Sequence, residues 1–273
     1  VTDGDNDVAS NNHTITITDG AGPQAGAPIT LTVDDQNLAN GSTPSGDDFD
    51  SDSITFTEGS DAIDTIVFGT DLSGLVGGLT WSRVSGTEIT GSDGGDLIVT
   101  LDLSVTGTTA TVTATLSDNY DSHPTFTADD LQALGSVGVV ATDIDGDFAT
   151  GTVNVAVSDD VPDMTVGGTA TVAEDAVGTI GGTWDNASAG ADGAASTIVL
   201  VGATEYAIGA NIVLTEGTLN VAANGTWTFD PNAGLDQDVA QSVTFTVKVT
   251  DGDNDVASNN HTITITDGAG PQA

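Results

Sequence analysis

The chain has 273 residues and carries 41 acidic side chains against a single arginine, Arg83, and a single lysine, Lys248, for a formal charge of −39. Such a surface repels nucleic acid and anionic membranes and attracts cations. With no cysteine, disulfides and thiolate metal sites are excluded; with no apolar run of about 18 residues, no membrane-spanning helix is expected, although 37% apolar residues is too many for a solvated linker.

Residues 1–25 read VTDGDNDVASNNHTITITDGAGPQA, and residues 249–273 are the same string. The chain therefore reads as one full period of a tandem repeat with its overlap attached. A second match lies inside the period: the TDIDGD ending at residues 142–147 aligns with TDGDND at 250–255. This predicts two modules per period. Residues 1–25 would be the final hairpin of a preceding repeat, either frayed or docked on a neighbour. Residues 26–161 would be a first β-sandwich. Residues 162–273 would be a second β-sandwich with its junction, the boundary falling where a strand runs into Asp159-Asp160-Val161-Pro162.

In chain order, alternating or β-branched runs predict strands at residues 29–33, 53–57, 65–68, 97–103, 108–116, 153–158, 169–172, 198–201, 212–214, 217–221, 225–229, 243–249 and 262–266. Only ADDLQAL, residues 128–134, suggests a helical turn, with Thr127 as its N-cap. Many short strands between turn signals predict an all-β fold, a tandem array of antiparallel β-sandwiches.

Three acidic triplets recur at equivalent places: Asp3/Asp5/Asp7, Asp143/Asp145/Asp147 and Asp251/Asp253/Asp255. In an extended chain alternate residues share a side, so each triplet would crowd three carboxylates together. Two such charges about 4 Å apart repel by roughly 1 kcal/mol in bulk water and about 4 at an effective dielectric near 20. A cation is the expected remedy. Carboxylates and amide carbonyls, without thiolates or paired histidines, suit a hard ion, and calcium accepts six to eight irregular oxygen ligands more readily than magnesium does. The helix-loop-helix calcium loop does not fit, since its glycine would fall on Phe148 or Val256 and its final glutamate on Asn154 or Thr262. Acids beside the junctions complete the candidate set: Asp159 and Asp160, Glu174 and Asp175, Asp34 and Asp35, and the equivalent pair Asp19 and Asp267. The dense patch GDDFDSD at residues 46–52 reads equally well as a solvated loop.

Residues 217–255, with a GTL strand, an NGTWTF hairpin and an FTVKVTDGDND ending, together with VAED at 172–175, resemble a VCBS or cadherin-like repeat of large bacterial surface proteins. Residues 31–162, from LTVDDQNLANGS to SDDVP, resemble the longer extender repeat of type 1-secreted RTX adhesins. The resemblance implies immunoglobulin-like or cadherin-like sandwiches in tandem, stiffened by several calcium ions at module ends, with Asp143/Asp145/Asp147, Asp251/Asp253/Asp255 and Glu174/Asp175 as ligands. It further implies an extracellular, cell-surface spacer whose partners are its own adjacent repeats. GSDGGDLIV at residues 91–99 is a lone imperfect secretion nonapeptide, so this stretch is not the secretion tail.

A glycan-binding module is the alternative, with Trp81, Trp184 and Trp227 as stacking candidates; Trp227 alternates with Phe229 as a core residue would, which leaves Trp184 the best placed for exposure. No enzyme is expected. His13 and His261 are one repeat position, His123 is the other histidine, and neither a G-x-S-x-G elbow nor an H-E-x-x-H pair occurs.

Overall fold

The computed structural model describes residues 1–120, 131–185, 189–232, 235 and 241–268. Two sandwiches follow one another. The strands of the first are β1 (Gln24–Ala25), β2 (Ile29–Asp34), β3 (Phe49–Thr57), β4 (Ile63–Phe68), β5 (Thr80–Arg83), β6 (Glu88–Asp93), β7 (Asp96–Thr106), β8 (Thr109–Leu116), β9 (Leu131–Asp143) and β10 (Phe148–Ser158). Those of the second are β11 (Val166–Gly168), β12 (Thr171–Ala173), β13 (Ile180–Trp184), β14 (Ala194–Val201), β15 (Thr204–Ala207), β16 (Asn211–Val213), β17 (Gly217–Ala222), β18 (Thr226–Pro231), β19 (Gln241–Asp251) and β20 (Val256–Thr266).

In the first sandwich a sheet in the order β1-β3-β8-β7-β6-β5 faces one in the order β2-β10-β9-β4; in the second, β11-β13-β18-β17-β16 faces β12-β20-β19-β14-β15. Alternation dictates this layering. The even-numbered residues of β8 and the odd-numbered residues of β19 turn inward and their neighbours outward, and the inward faces form two separate cores. Leu31, Phe56, Phe68, Ile89 and Leu101 fill the first, and Trp227, Phe229, Phe245, Ile263 and Ile265 the second. Fully burying such a side chain contributes about 1.5–3 kcal/mol. Trp227 meets Phe245 edge-on with ring centroids 5.2 Å apart, the geometry aromatic quadrupoles favour.

Two ladders depart from the expected antiparallel pairing: β2 runs parallel to β10, and β12 parallel to β20. The consequence is positional. Parallel neighbours finish at the same end of a sandwich, so Asp34 and Asp35 after β2 emerge beside Asp159 and Asp160 after β10. The β9–β10 turn carrying Asp143/Asp145/Asp147 lies at the opposite end.

The helical turn expected at residues 128–134 is corrected where it can be seen. Residues 131–134 open the 13-residue β9, where Ala133 pairs with Ala156 and Gln132 with Val157 beside a bulge. Ladder pairing overrides the helix propensity of LQAL; residues 127–130 and His123 lie outside the described residues, as do residues 269–273 of the junction string. Strands β1, β5, β6, β9, β11, β13 and β15 lie outside the expected set: β1 has two residues, and in the others glycine, serine or acidic residues interrupt the alternation.

Candidate metal centre

Each acidic triplet sits on the same turn. The backbone N–H of Asp3 donates to the carbonyl of Asp7 at 3.1 Å, that of Asp143 to Asp147 at 2.9 Å and that of Asp251 to Asp255 at 3.1 Å. The residue before the third acid is left-handed in all three, with φ of 70° at Asn6, 104° at Gly146 and 89° at Asn254. Asparagine and glycine are the residues that tolerate this region, which explains the Asn/Gly alternation between repeats. The carboxylates therefore converge because the chain turns and not, as expected, because it is extended. Within Asp3/Asp5/Asp7 and within Asp143/Asp145/Asp147 one carboxylate oxygen from each residue lies within 4.8 Å of the others.

Two acids absent from the sequence-based set join the triplets. Asp61 groups with Asp145 and Asp19, and Asp192 groups with Asp251 and Asp253, again within 4.8 Å. Their placement is the same in both sandwiches. Asp61 stands two residues before Ile63, which pairs with Asp143; Asp192 stands two residues before Ala194, which pairs with Asp251. A register shift follows each of these pairs, between Ile63 and Thr65 and between Ala194 and Ser196. Such bulges turn the chain and aim the preceding side chain at the triplet. The signal that could have found them is an aspartate two residues ahead of the strand that flanks the triplet hairpin.

Asp192 also groups with Asp35 and Asp159, the acids at the far end of the first sandwich. It thus belongs to two carboxylate groups at once, one from each sandwich. The loop that carries it is seated by direct contacts. Ala191 is 6% exposed and belongs to the first core. The side-chain amide of Asn40 donates to the Ala191 carbonyl at 2.8 Å, and that of Asn119 to Asp192 Oδ1 at 2.5 Å. Asp160 Oδ2 accepts the backbone N–H of Ser42 at 2.7 Å and of Ala191 at 2.9 Å, so this carboxylate ties the seam through protein donors.

Buried carboxyl oxygens without donors mark the seam. Asp35 and Asp251 are both 0% exposed; Oδ1 of Asp35 and both oxygens of Asp251 meet no hydrogen-bond donor. Burial, and then the charges of Asp159, Asp192 and Asp160, push Asp35 up to about 8 against the N–H of Tyr120. Burial and the adjoining Asp253, with a smaller part from Asp192, push Asp251 up to about 8. At the other triplet the contact with Asp143 raises Asp145 to about 6, helped by Asp19 and Asp61. A buried ionised carboxylate without compensation is costly, and a hard cation is the chemistry that offsets several at once.

The remaining predicted ligands divide. Asp34 caps the 3-10 turn Asp35–Asn37 by accepting the Gln36 N–H at 3.1 Å and is absent from the carboxylate groups. Asp255, fully buried, closes its turn through its backbone carbonyl. At the far end of the second sandwich Glu174 Oε1 accepts the Gly268 N–H at 3.4 Å while Oε2 is buried without a donor. A Cβ on Gly268 would come within 2.6 Å of Asp175 Cγ, so glycine lets this strand end pass close to the acids; Asp267 beside it is exposed. In the patch at residues 46–52, Asp50 accepts the Thr32 N–H at 2.8 Å and no residue joins a carboxylate group. Trp184 is corrected from an exposed stacking candidate to a core residue, 6% exposed with its indole N–H on the Ala222 carbonyl at 2.9 Å.

The molecule is thus an all-β protein of two immunoglobulin-like sandwiches whose ends carry grouped carboxylates. Residues 159–266, the span of the second sandwich, match the family model described as Bacterial Ig domain. No curated protein matches the chain. Among solved structures the chain is similar to the protocadherin PcdhgB3 EC1-4 at 13% identity, covering 93% of this chain and 52% of that one with a TM-score of 0.32. It is similar to Drosophila N-cadherin EC1-4 at 11% identity, covering 92% and 51% with a TM-score of 0.28. It is similar to a tetra-tandem repeat in the extending region of a large adhesion protein at 16% identity, covering 87% and 49% with a TM-score of 0.22. The chain spans about half the length of each. Among the described residues no helix is long and apolar enough to cross a membrane.

Proposed function

We propose that this chain is a calcium-rigidified spacer of a large bacterial cell-surface adhesin, an extender of RTX type that holds a distal binding region away from the cell. It is non-catalytic and extracellular, exported by type 1 secretion, and its partners are adjacent repeats joined through cation-bridged junctions. One observation carries the reading: Asp35 and Asp251, both fully buried and short of donors, stand on opposite sides of a seam with Asp192 grouped with each. Without a cation, the carboxylates of the two sandwiches oppose their approach. With one, the shared ion adds binding free energy to the folded, docked state alone. Calcium in the 0.1–1 mM range is enough, since extracellular modules bind at about that level.

Thermal melting and small-angle scattering with calcium, with magnesium and with chelator test this. Calcium should raise the melting temperature by many degrees and lengthen and stiffen the particle, magnesium far less. Equal melting and scattering in calcium and chelator would overturn the reading. Against the glycan-binding alternative, Trp184 and Trp227 are in the core, which leaves the half-buried Trp81 as its one stacking candidate among the three.

A further inference from the structure

The pairing of β4 with β9 breaks off in a way that opens a groove. The Gly69 N–H donates to the Gly138 carbonyl at 2.8 Å, and the Ser136 N–H donates to the Gly74 carbonyl at 2.9 Å. A step of two residues along β9, from 136 to 138, is therefore matched by a step of five on its neighbour, from 69 to 74, and the surplus bows out of the ladder. Irregularities of this kind re-aim side chains and gather beside functional sites. Between the bow and the outward residues of β9 and β10 lies a groove of about 480 Å³, with Thr70, Asp71, Ser136, Gly138, Thr150 and Thr152 among its walls. Small-molecule sites span about 300–1,000 Å³. Glycine keeps the floor bare: a Cβ on Gly138 would come within 2.8 Å of the Thr150 methyl carbon.

The lining is rich in hydroxyls and nearly free of charge. Among the described residues, the hydroxyls of Thr70, Ser136, Thr150 and Thr152 have no hydrogen-bond partner in the protein. Asp71 is the single charged residue on the lining, and it is absent from the carboxylate groups at the sandwich ends. Its Oδ1 accepts the Ser73 N–H at 2.9 Å, and the hydroxyl and N–H of Ser73 hold its carboxyl below the usual carboxylate range. A chain of charge −39 repels an anionic ligand, and a metal cation has denser carboxylate groups elsewhere. Unpaired hydroxyls around one carboxylate match a neutral polyol, whose own hydroxyls donate to the acid and both give and take hydrogen bonds with threonine and serine. Val140 adds an aliphatic wall for the C–H face of a sugar ring. We propose that this groove binds a neutral oligosaccharide, with Asp71 as the acceptor that orients it. The net gain from each exchanged hydrogen bond is small, so the affinity is about millimolar. The site uses none of the three tryptophans and does not rest on the cation.

Amide NMR of the full chain tests this, with titration of neutral trisaccharides of glucose, mannose and galactose and of a uronic acid trisaccharide. At least one neutral sugar should shift the amides of residues 69–74, 136–140 and 150–152 saturably, equally in calcium and in chelator, and the uronic acid sugar should leave them in place. Gly138→Val fills the floor and Asp71→Ala removes the acceptor; each should weaken that sugar about tenfold or more. Asp71 is exposed, so its variant should keep the native melting temperature, which separates lost binding from lost folding. The proposal is overturned by an unshifted groove with every neutral sugar at roughly tens of millimolar, by an equal response to the uronic acid sugar, or by unchanged binding in Asp71→Ala.

Discussion

Asn119 of the first sandwich donates its side-chain amide to Asp192 of the second at 2.5 Å, so the acid shared by two carboxylate groups is also the acid pinned by a neutral contact across the seam. Docking and charge are therefore separable at this one residue.

Asp192→Asn keeps an oxygen for Asn119 and removes one negative charge. In chelator the melting temperature should rise or hold, because repulsion within both groups falls. In calcium most of the cation-dependent gain should vanish. Calorimetry on the two proteins in both buffers decides it, and an undiminished calcium gain in the variant would refute the shared-ligand role.

Acidity should stabilise the cation-free protein. Asp35 and Asp251 bind protons up to about pH 8 when folded, against a carboxylate value near 3.8 when unfolded. Between about pH 4 and 8 the folded state thus holds more protons, and stability falls as pH rises through that window. In chelator, the melting temperature at pH 5 should exceed that at pH 8. With calcium saturating, the order should flatten or reverse, because the ion takes the place of the protons. A chelated protein that is more stable at pH 8 than at pH 5 contradicts the buried-carboxyl account.

The duplicated string offers an internal control. Ile265→Ala removes a fully buried side chain and should cost about 2–5 kcal/mol. Ile17→Ala changes the same residue in the same sequence where it is 92% exposed, and should stay within about 0.5 kcal/mol. Urea denaturation followed by tryptophan fluorescence compares them directly; equal losses would mean that residues 8–18 are already packed in a sheet.

The left-handed turn residue gives a local test. At Asn254, φ of 89°, a β-branched side chain is strained, so Asn254→Val should cost about 1–2 kcal/mol while Asn254→Gly is near neutral. Gly146 already occupies that place in the first sandwich. Indistinguishable melting of the valine and glycine variants would remove the conformational explanation for the Asn/Gly alternation.

Much of the site could be read in the chain because a recurrent triplet of like charges is visible without coordinates. What could not be read was its completion. Asp61 and Asp192 are single acids in loops, and only the ladders that set Ile63 against Asp143 and Ala194 against Asp251 bring them to the triplets. Trp184 shows the same limit: flanking glycines and acids suggested exposure, and the fold buried it. The parallel pairings of β2 and β12 leave no local trace either, yet they put Asp35 beside Asp159.

The repeated 25 residues separate local from global causes. The turn over residues 3–7 and 251–255 forms both times, with the same backbone hydrogen bond and the same left-handed asparagine, because it depends on contacts at most four residues apart. The strand that follows forms once. Residues 256–266 have β19 and β12 on either side, and residues 8–18 have neither. Sequence alone determined the acidic turn and the alternation; whether that alternation became a strand was decided only by a sheet able to supply its hydrogen bonds and bury its isoleucines, contacts that no stretch of eleven residues contains within itself.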